Sequence, residues 1–258
     1  MPYANNEGVR IRYEVEGDGP PLVLHHGFGC FLETWYAGYV DGLKDDYQLV
    51  LMDARGHGES DKPHDRESYR LASRVADVVA VLDDLGIRRA HFHGYSMGGY
   101  IGWGIAKYAP ERFLSLIIGG AGASEETWDE TESGPHPLQE LVRQGPDIWV
   151  AALEGMFDHW WRPEWKARFL AADLEALDAM ASRWEGISYA DVLSKLTLPC
   201  LVFVGENDDA YAGAQKTSEL VPNATFVSFP GLDHIGAANR TDLVLPLMRK
   251  FLAEVGEG

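Results

Sequence analysis

Short apolar runs alternate with segments of helical periodicity along most of this 258-residue chain. Most of the runs lack polar residues, which is typical of strands that are buried on both faces of a parallel sheet. Between residues 68 and 85, apolar positions instead recur every three or four residues and predict a helix. Strands that alternate with helices predict an α/β fold, a mostly parallel central sheet covered by helices on both faces. The strands predicted in the first half are 9–16 (an alternating edge strand), 21–25, 47–52, 90–92 and 113–118.

The pattern changes between residues 124 and 193, where helical periodicity dominates, notably over 165–184, and no strong strand signal appears. This segment holds six of the eight tryptophans. Strand and helix signals then resume and continue to the end of the chain. We therefore expect a single domain over 1–258, with a core of 1–123 and 194–258. A helical cap of about 124–193 would be inserted after the strand that ends near Ile118.

Charge and composition limit the classes of binding partner that the protein could have. Forty acidic residues against 22 basic ones give a formal net charge of -18, which repels nucleic acid and anionic membrane surfaces. No apolar run reaches the roughly 20 residues of a membrane span, and the first residues do not resemble a signal peptide. We expect a cytoplasmic protein with no nucleic-acid or membrane partner, a monomer or a homodimer. Its two cysteines, Cys30 and Cys200, are expected to be reduced.

The strongest chemical signal is the pentapeptide Gly94-Tyr95-Ser96-Met97-Gly98. It lies between a predicted strand and a predicted helix, where glycines permit a sharp turn that exposes a serine hydroxyl. A serine becomes nucleophilic when an imidazole accepts its proton and a carboxylate orients that imidazole. The chain contains nine histidines. His234 lies beyond every acid that could end a strand in the second half.

The pentapeptide and the segment Gly205-Glu206-Asn207-Asp208 together resemble the α/β-hydrolase superfamily, and the resemblance covers nearly the whole chain. It implies a fold with that name and a chain order of serine, acid and histidine. The implied catalytic residues are Ser96, Asp208 and His234, with Asp209 and Glu206 as local alternatives for the acid. Two positions depart from the family pattern. A proline that often follows the acid is missing, and Asp233 replaces the glycine that commonly precedes the histidine.

Acyl transfer also needs two donors for the oxyanion. Met97 supplies the backbone amide that follows the nucleophile. By resemblance to the His-Gly-x loop of these hydrolases, Phe28 in His26-Gly27-Phe28-Gly29 supplies the second. The motif that starts at Asp53 (Asp-x-Arg-Gly-x-Gly-x-Ser) is predicted to brace this loop through Asp53 and Arg55, without a chemical role.

Two other classes of protein are alternatives to a serine hydrolase. His91 and His93 lie at strand spacing and face one side, as two metal ligands could, but no further metal motif follows them. A ligand receptor of the same fold is also conceivable. Within the family, serine at this position disfavours haloalkane dehalogenases and epoxide hydrolases, which use aspartate there.

For the substrate, we expect a small to medium, largely apolar carboxylic ester together with water, and no cofactor or metal. Carbon-carbon bond hydrolysis of ring-fission products and enol-lactone hydrolysis are the alternatives, with perhydrolase or haloperoxidase activity less favoured. Arg162 and Arg168 could receive a substrate carboxylate, although surface positions are expected for both. The residues predicted to line the substrate pocket are Trp128, Phe157, Trp160 and Trp161.

Overall fold

A computed structural model describes residues 2–157 and 162–256, with the side chain of Phe157 excluded. It contains an eight-stranded sheet in the order β1-β2-β4-β3-β5-β6-β9-β10, and a separate two-stranded ribbon of β7 and β8. The strands are β1 Tyr3–Asn6, β2 Val9–Glu16, β3 Pro21–His25, β4 Gln48–Met52, β5 Ala90–Tyr95, β6 Phe113–Gly119, β7 Trp128–Asp129, β8 Arg183–Trp184, β9 Cys200–Gly205 and β10 Ala224–Phe229. Within the large sheet, β2 pairs antiparallel with both β1 and β4, and the other paired strands are parallel. The mostly parallel sheet is therefore confirmed.

Helices cover both faces of this sheet, as predicted. They are α1 Tyr39–Leu43, α2 Leu71–Asp84, α3 Met97–Tyr108, α4 Glu130–Ser133, α5 Pro137–Arg143, α6 Pro146–Phe157, α7 Pro163–Leu170, α8 Leu174–Ala181, α9 Tyr211–Leu220, α10 His234–Asn239 and α11 Thr241–Gly256. Alternate residues of a strand serve opposite faces. Val23 joins the apolar cluster beneath α2 and α3, whereas Leu22 and Leu24 join the cluster beneath α1 and α11.

The described part of the segment between β6 and β9 contains α4 to α8 and the small ribbon. Its helices share an apolar cluster in which Trp149 and Leu153 of α6 pack with Phe169 of α7. Phe31, from the loop after β3, belongs to the same cluster. The helical segment therefore packs directly on a loop of the core. No helix in the described ranges has the length and apolar character that crossing a membrane requires.

Two predicted helices are divided in the structure. The pattern over 165–184 is split into α7 and α8, because the Asp173 side chain accepts a hydrogen bond from the Ala176 backbone N–H and starts a new helix there. The sequence also predicts one helix over 33–43, where the structure has a 3₁₀ turn at Leu32–Tyr36 and the separate α1. Gly38 lies between them at φ 115°, a conformation that interrupts a right-handed helix.

A buried ion pair fixes α2 to the loop that follows β4. Arg55 donates from Nε to Asp77 Oδ2 at 2.6 Å and from a terminal nitrogen to Oδ1 at 2.5 Å, and Asn6 donates to the same carboxylate at 2.8 Å. Burial raises the pKa of Asp77, and the Arg55 guanidinium opposes this effect. Removing one partner of such a pair leaves the other charge buried and uncompensated.

We expect Asp77→Ala to lower the free energy of unfolding by about 3–5 kcal/mol, because Arg55 would keep its charge without a counter-ion. Chemical denaturation measures this loss. Asp41→Ala is the matched control, since Asp41 pairs with Lys44 at 2.6 Å with its side chain 76% exposed, and it should cost about 0.5 kcal/mol or less. Equal costs for the two variants would contradict the stabilising role of the buried pair.

Candidate active site

Ser96 lies in the turn between β5 and α3 and has φ 56° and ψ -114°. A positive φ is strained for a non-glycine residue. The turn is held by the Ser96 backbone N–H, which donates to the Gly119 carbonyl at 2.8 Å. A Cβ on Gly94 would lie 2.1 Å from the Gly98 carbonyl oxygen, and one on Gly98 would lie 2.1 Å from the His25 carbonyl oxygen. Both glycines are therefore required by close backbone approach.

His234 and Asp208 meet on the loops that follow β10 and β9. His234 Nδ1 lies 2.7 Å from Asp208 Oδ2, and Asp208 Oδ1 accepts from the Ala210 backbone N–H at 2.9 Å. The Asp208 side chain is 2% exposed and that of His234 is 37% exposed. Because a carboxylate only accepts, Nδ1 carries the proton and Nε2 remains an acceptor. Asp208 thus fixes the imidazole tautomer that a general base needs.

The neighbouring acids have other positions. Glu206 and Asp209 are exposed, and Glu206 accepts a hydrogen bond from Ser228 Oγ at 3.0 Å. Asp233, at the position of the family glycine, accepts from the Gly236 backbone N–H at 2.7 Å. It therefore caps α10, the helix that begins at His234.

The His26–Gly29 loop runs beside the serine turn, since a Cβ on Gly27 would lie 3.4 Å from Ser96 Cβ. Two buried histidines hold this loop. The Ala54 N–H donates to His26 Nε2 at 3.0 Å, so the proton lies on Nδ1, which donates to the Gly27 carbonyl at 2.8 Å. The Gly29 N–H donates to His57 Nε2 at 2.9 Å. Burial lowers the pKa of both histidines, which keeps them neutral and able to accept.

The prediction that Asp53 and Arg55 brace this loop is correct for only one of the two residues. Asp53 does brace the loop, because it accepts from the Leu32 N–H at 2.8 Å. Arg55 instead points to Asp77, and His57, to which no chemical or bracing role was assigned, holds Gly29. Its place within the glycine-rich motif after β4 is the signal in the sequence that could have indicated it.

The backbone amides of Phe28 and Met97 are available to a ligand. Neither N–H donates to an acceptor in residues 2–157 or 162–256. Met97 begins α3, where the first N–H groups of a helix lack intrahelical partners and carry partial positive charge. The two amides flank the Ser96 turn and so could receive an oxyanion.

A cavity of about 220 Å³ opens between the Ser96 turn and the helices α5 to α7. Ser96 and His234 both line it, and most of its surface is apolar. On the side of the helical segment it is lined by Leu138, Leu141, Trp149, Leu153, Met156 and Trp165. On the core side its lining includes Phe28, Thr34, Trp35, Tyr39, Ile235 and Asn239.

Of the four predicted pocket residues, one lies away from this cavity and three fall outside the described side chains. Trp128 does not line this cavity and pairs instead with Trp184 in the ribbon. The side chain of Phe157, and Trp160 and Trp161 entirely, lie outside the described residues. Trp149, Trp35 and Asn239 line the cavity and are not among the four predicted pocket residues.

Neither arginine considered for a substrate carboxylate lines the cavity. Arg162 is exposed, with its guanidinium carbon 5.5 Å from the Trp165 ring centre. Arg168 forms ion pairs with Glu33 and Glu59 and lies over the ring of Phe31.

The histidine pair of β5 is hydrogen-bonded within the sheet. His91 Nδ1 lies 2.8 Å from Ser115 Oγ, and His93 Nδ1 donates to the Ile117 carbonyl at 3.1 Å. Within 2–157 and 162–256, no cluster of three or more histidine, cysteine or acidic side chains has a geometry that could hold a metal ion.

Comparison with known proteins agrees with this arrangement. Residues 20–184 match the sequence model of the alpha/beta hydrolase fold family. The chain belongs to this family. A solved hydrolase from Pseudomonas aeruginosa superposes with a TM-score of 0.83 at 25% identity, with 97% of each chain covered.

Curated relatives of this α/β hydrolase have several activities. A non-heme chloroperoxidase of Streptomyces lividans is 27% identical over 96% of this chain and 97% of its own. A bifunctional esterase/perhydrolase of Acinetobacter calcoaceticus is 26% identical over 88% and 90%. The 3-oxoadipate enol-lactonase 2 of Acinetobacter baylyi is 30% identical over 78% and 77%.

The contact between Asp208 and His234 yields a test. We expect Asp208→Asn to lower p-nitrophenyl acetate hydrolysis about 10⁴-fold, because an amide does not hold the imidazole in the required tautomer. Steady-state kinetics measures kcat, and circular dichroism checks the fold. Asp209→Asn changes the adjacent exposed acid and should stay within about twofold of wild type. A larger loss in Asp209→Asn than in Asp208→Asn would transfer the role to Asp209.

Proposed function

We propose that the protein is a serine hydrolase that cleaves carboxylic esters through an acyl-enzyme intermediate. The observation that carries this proposal is the Asp208–His234 hydrogen bond at 2.7 Å, with Nε2 left as an acceptor in the cavity that Ser96 also lines. The esterase activity named for the Acinetobacter calcoaceticus relative supports the same reaction class.

In the proposed mechanism, His234 Nε2 accepts the Ser96 proton as Oγ bonds to the ester carbonyl carbon. The carbonyl π electrons move onto oxygen, and the resulting oxyanion accepts hydrogen bonds from the Phe28 and Met97 amides. Collapse of this intermediate breaks the bond to the alcohol oxygen, which receives the proton from His234. A water molecule then attacks the acyl carbon, with His234 again accepting the proton. Collapse of this second intermediate breaks the bond to Ser96 Oγ, which receives the proton from His234 as the acid is released.

Enol-lactone hydrolysis is the second candidate, because a relative at 30% identity has that name. The product of 3-oxoadipate enol-lactone cleavage is a dicarboxylate, so the lactone itself carries one free carboxylate. Such an anion would normally be met by an arginine or lysine. The described lining of the cavity contains neither, which favours an uncharged ester.

We expect Ser96→Ala to lower ester hydrolysis by about 10⁴-fold or more, because the nucleophile is removed while its surroundings remain. A fluorophosphonate probe should label the wild type and not the variant. Ser194→Ala, which changes an exposed serine in the 3₁₀ turn before β9, is the control and should retain full labelling and activity. An unreactive serine in folded wild-type protein would instead favour a ligand receptor.

A substrate panel separates the two candidates. We expect turnover of p-nitrophenyl esters to rise with acyl length until the cavity of about 220 Å³ is filled, because each buried CH₂ contributes about 0.8 kcal/mol. The same assay should include a dienoate ring-fission product and a carboxylate-bearing enol-lactone. Negligible ester turnover with fast cleavage of either anionic substrate would reverse the ranking.

A further inference from the structure

Tyr95, the residue before Ser96, ends β5 and takes no part in the proposed proton transfers. Its backbone pairs with Gly119 of β6. Its side chain is buried, with the ring centre 5.9 Å from that of Phe203 in β9. Because the central sheet holds both the backbone and the ring, the direction of this side chain is fixed at the point where the serine turn begins.

The Tyr95 hydroxyl reaches the main chain of the proposed general base. It donates to the His234 carbonyl at 2.5 Å, at the residue where α10 begins. Burial raises the pKa of Tyr95 well above its ordinary value, so the hydroxyl keeps its proton and remains a donor at neutral pH. Tyr95 thus holds the main chain of His234, whereas Asp208 holds its ring.

The Tyr95 ring also lies against the imidazole. The two ring centres are 5.3 Å apart, with an angle of 54° between the ring planes. A Cβ on Gly120 would lie 2.8 Å from Tyr95 Cζ and 3.0 Å from His234 Cε1. Both rings therefore converge over Gly120, and the imidazole is confined on the side that faces Tyr95.

The location of His234 makes this support necessary. Its side chain is 37% exposed, and it starts a helix of six residues that follows a loop. Loops move more than the elements that they connect. A general base must lie within hydrogen-bond reach of the proton that it accepts, and a misplacement of 1 Å can cost about 10²-fold in rate.

We infer that Tyr95 is a positioning residue, which couples the serine turn to His234 by binding its main chain and packing against its ring. This inference rests on the proposed esterase function and assigns a further residue to that site. Because Tyr95 and Ser96 are consecutive, the turn that places the hydroxyl also places the support of the imidazole. Ser96 and His234 are distant in the chain, but they are then held by one element, the end of β5.

Tyr95→Phe removes the hydroxyl and keeps the ring. We expect kcat for p-nitrophenyl acetate, per active site counted by complete fluorophosphonate labelling, to fall about tenfold, with KM changed less than about twofold. The base would be less well placed while most substrate contacts remain. Tyr95→Leu, which also removes the ring contact, should lose about 100-fold. A purely structural role would instead reduce the number of active sites and leave the rate per site unchanged.

A double-mutant cycle tests whether Tyr95 acts through His234. In a His234→Ala background, Tyr95→Phe should change the residual rate less than about twofold, because residues that act as a unit are not additive. A tenfold loss in both backgrounds would overturn the inference. Wild-type kcat per site in Tyr95→Phe would also overturn it. So would an effect confined to KM, which would indicate a substrate contact, since Tyr95 lines the cavity.

Tyr189→Phe is the matched control. The Tyr189 hydroxyl also donates to a backbone carbonyl, that of Ala123 at 2.9 Å, but Tyr189 does not line the cavity. This variant loses the same kind of hydrogen bond away from His234. Its kcat per site should stay within about twofold of wild type.

Proton exchange at His234 separates this result from a failure of the proposed function. If Ser96→Ala retains activity, or if folded wild type is not labelled, the serine esterase proposal fails. NMR spectroscopy still measures the exchange with water of the His234 Nδ1 proton, which Asp208 accepts at 2.7 Å. Exchange about tenfold faster in Tyr95→Phe but not in Tyr189→Phe would support the positioning role. Equal exchange in wild type and Tyr95→Phe would overturn it.

Discussion

The close backbone approach around Ser96 is the constraint on which the rest of the candidate site depends. Ser96 keeps a positive φ because its N–H bonds to Gly119 at the end of β6 and because α3 begins against the end of β3. The contact between Gly98 and the His25 carbonyl fixes where the helix starts. Helix position in turn fixes the Met97 amide beside the serine. One steric arrangement thus positions both a hydroxyl and a donor.

The His26–Gly29 loop contains no helix or strand and depends on buried polar contacts. Asp53 accepts from Leu32, and Arg12 donates to Asp53 at 3.2 Å and to Glu33 at 2.9 Å. Burial lowers the pKa of Arg12, but Asp53 and Glu33 raise it above its usual value. Arg168 from α7 pairs with the same Glu33. The helical segment and the loop beside Ser96 therefore share one ion-pair network.

Sequence reasoning predicted the fold and the sharp turn at Ser96, because both depend on local signals. The apolar runs specify buried strands, and the glycines at 94 and 98 mark a turn that few other residues could form. It could not predict β1, since Glu7 at φ 52° occupies a hairpin turn for which glutamate has no preference. Breaks within a predicted helix, such as the one at Gly38, likewise depend on tertiary packing.

The cavity lining was least predictable for a related reason. Trp35 and Asn239 are distant in the chain, and they line one cavity because the fold places α10 beside Tyr39, whose hydroxyl donates to the Ala238 carbonyl.

The acidic composition of the chain also bears on the candidate site, because it provides carboxylates that pair with arginines. In a chain with 40 acidic and 22 basic residues, a guanidinium near the surface readily finds a carboxylate, as Arg168 does with Glu33 and Glu59. Arg74 is a different case, because it is buried between the rings of Tyr100 and Trp184, with its guanidinium carbon 5.1 and 5.3 Å from their centres. It does not line the cavity either. The described lining of the cavity beside Ser96 therefore contains apolar side chains and histidines but no arginine or lysine.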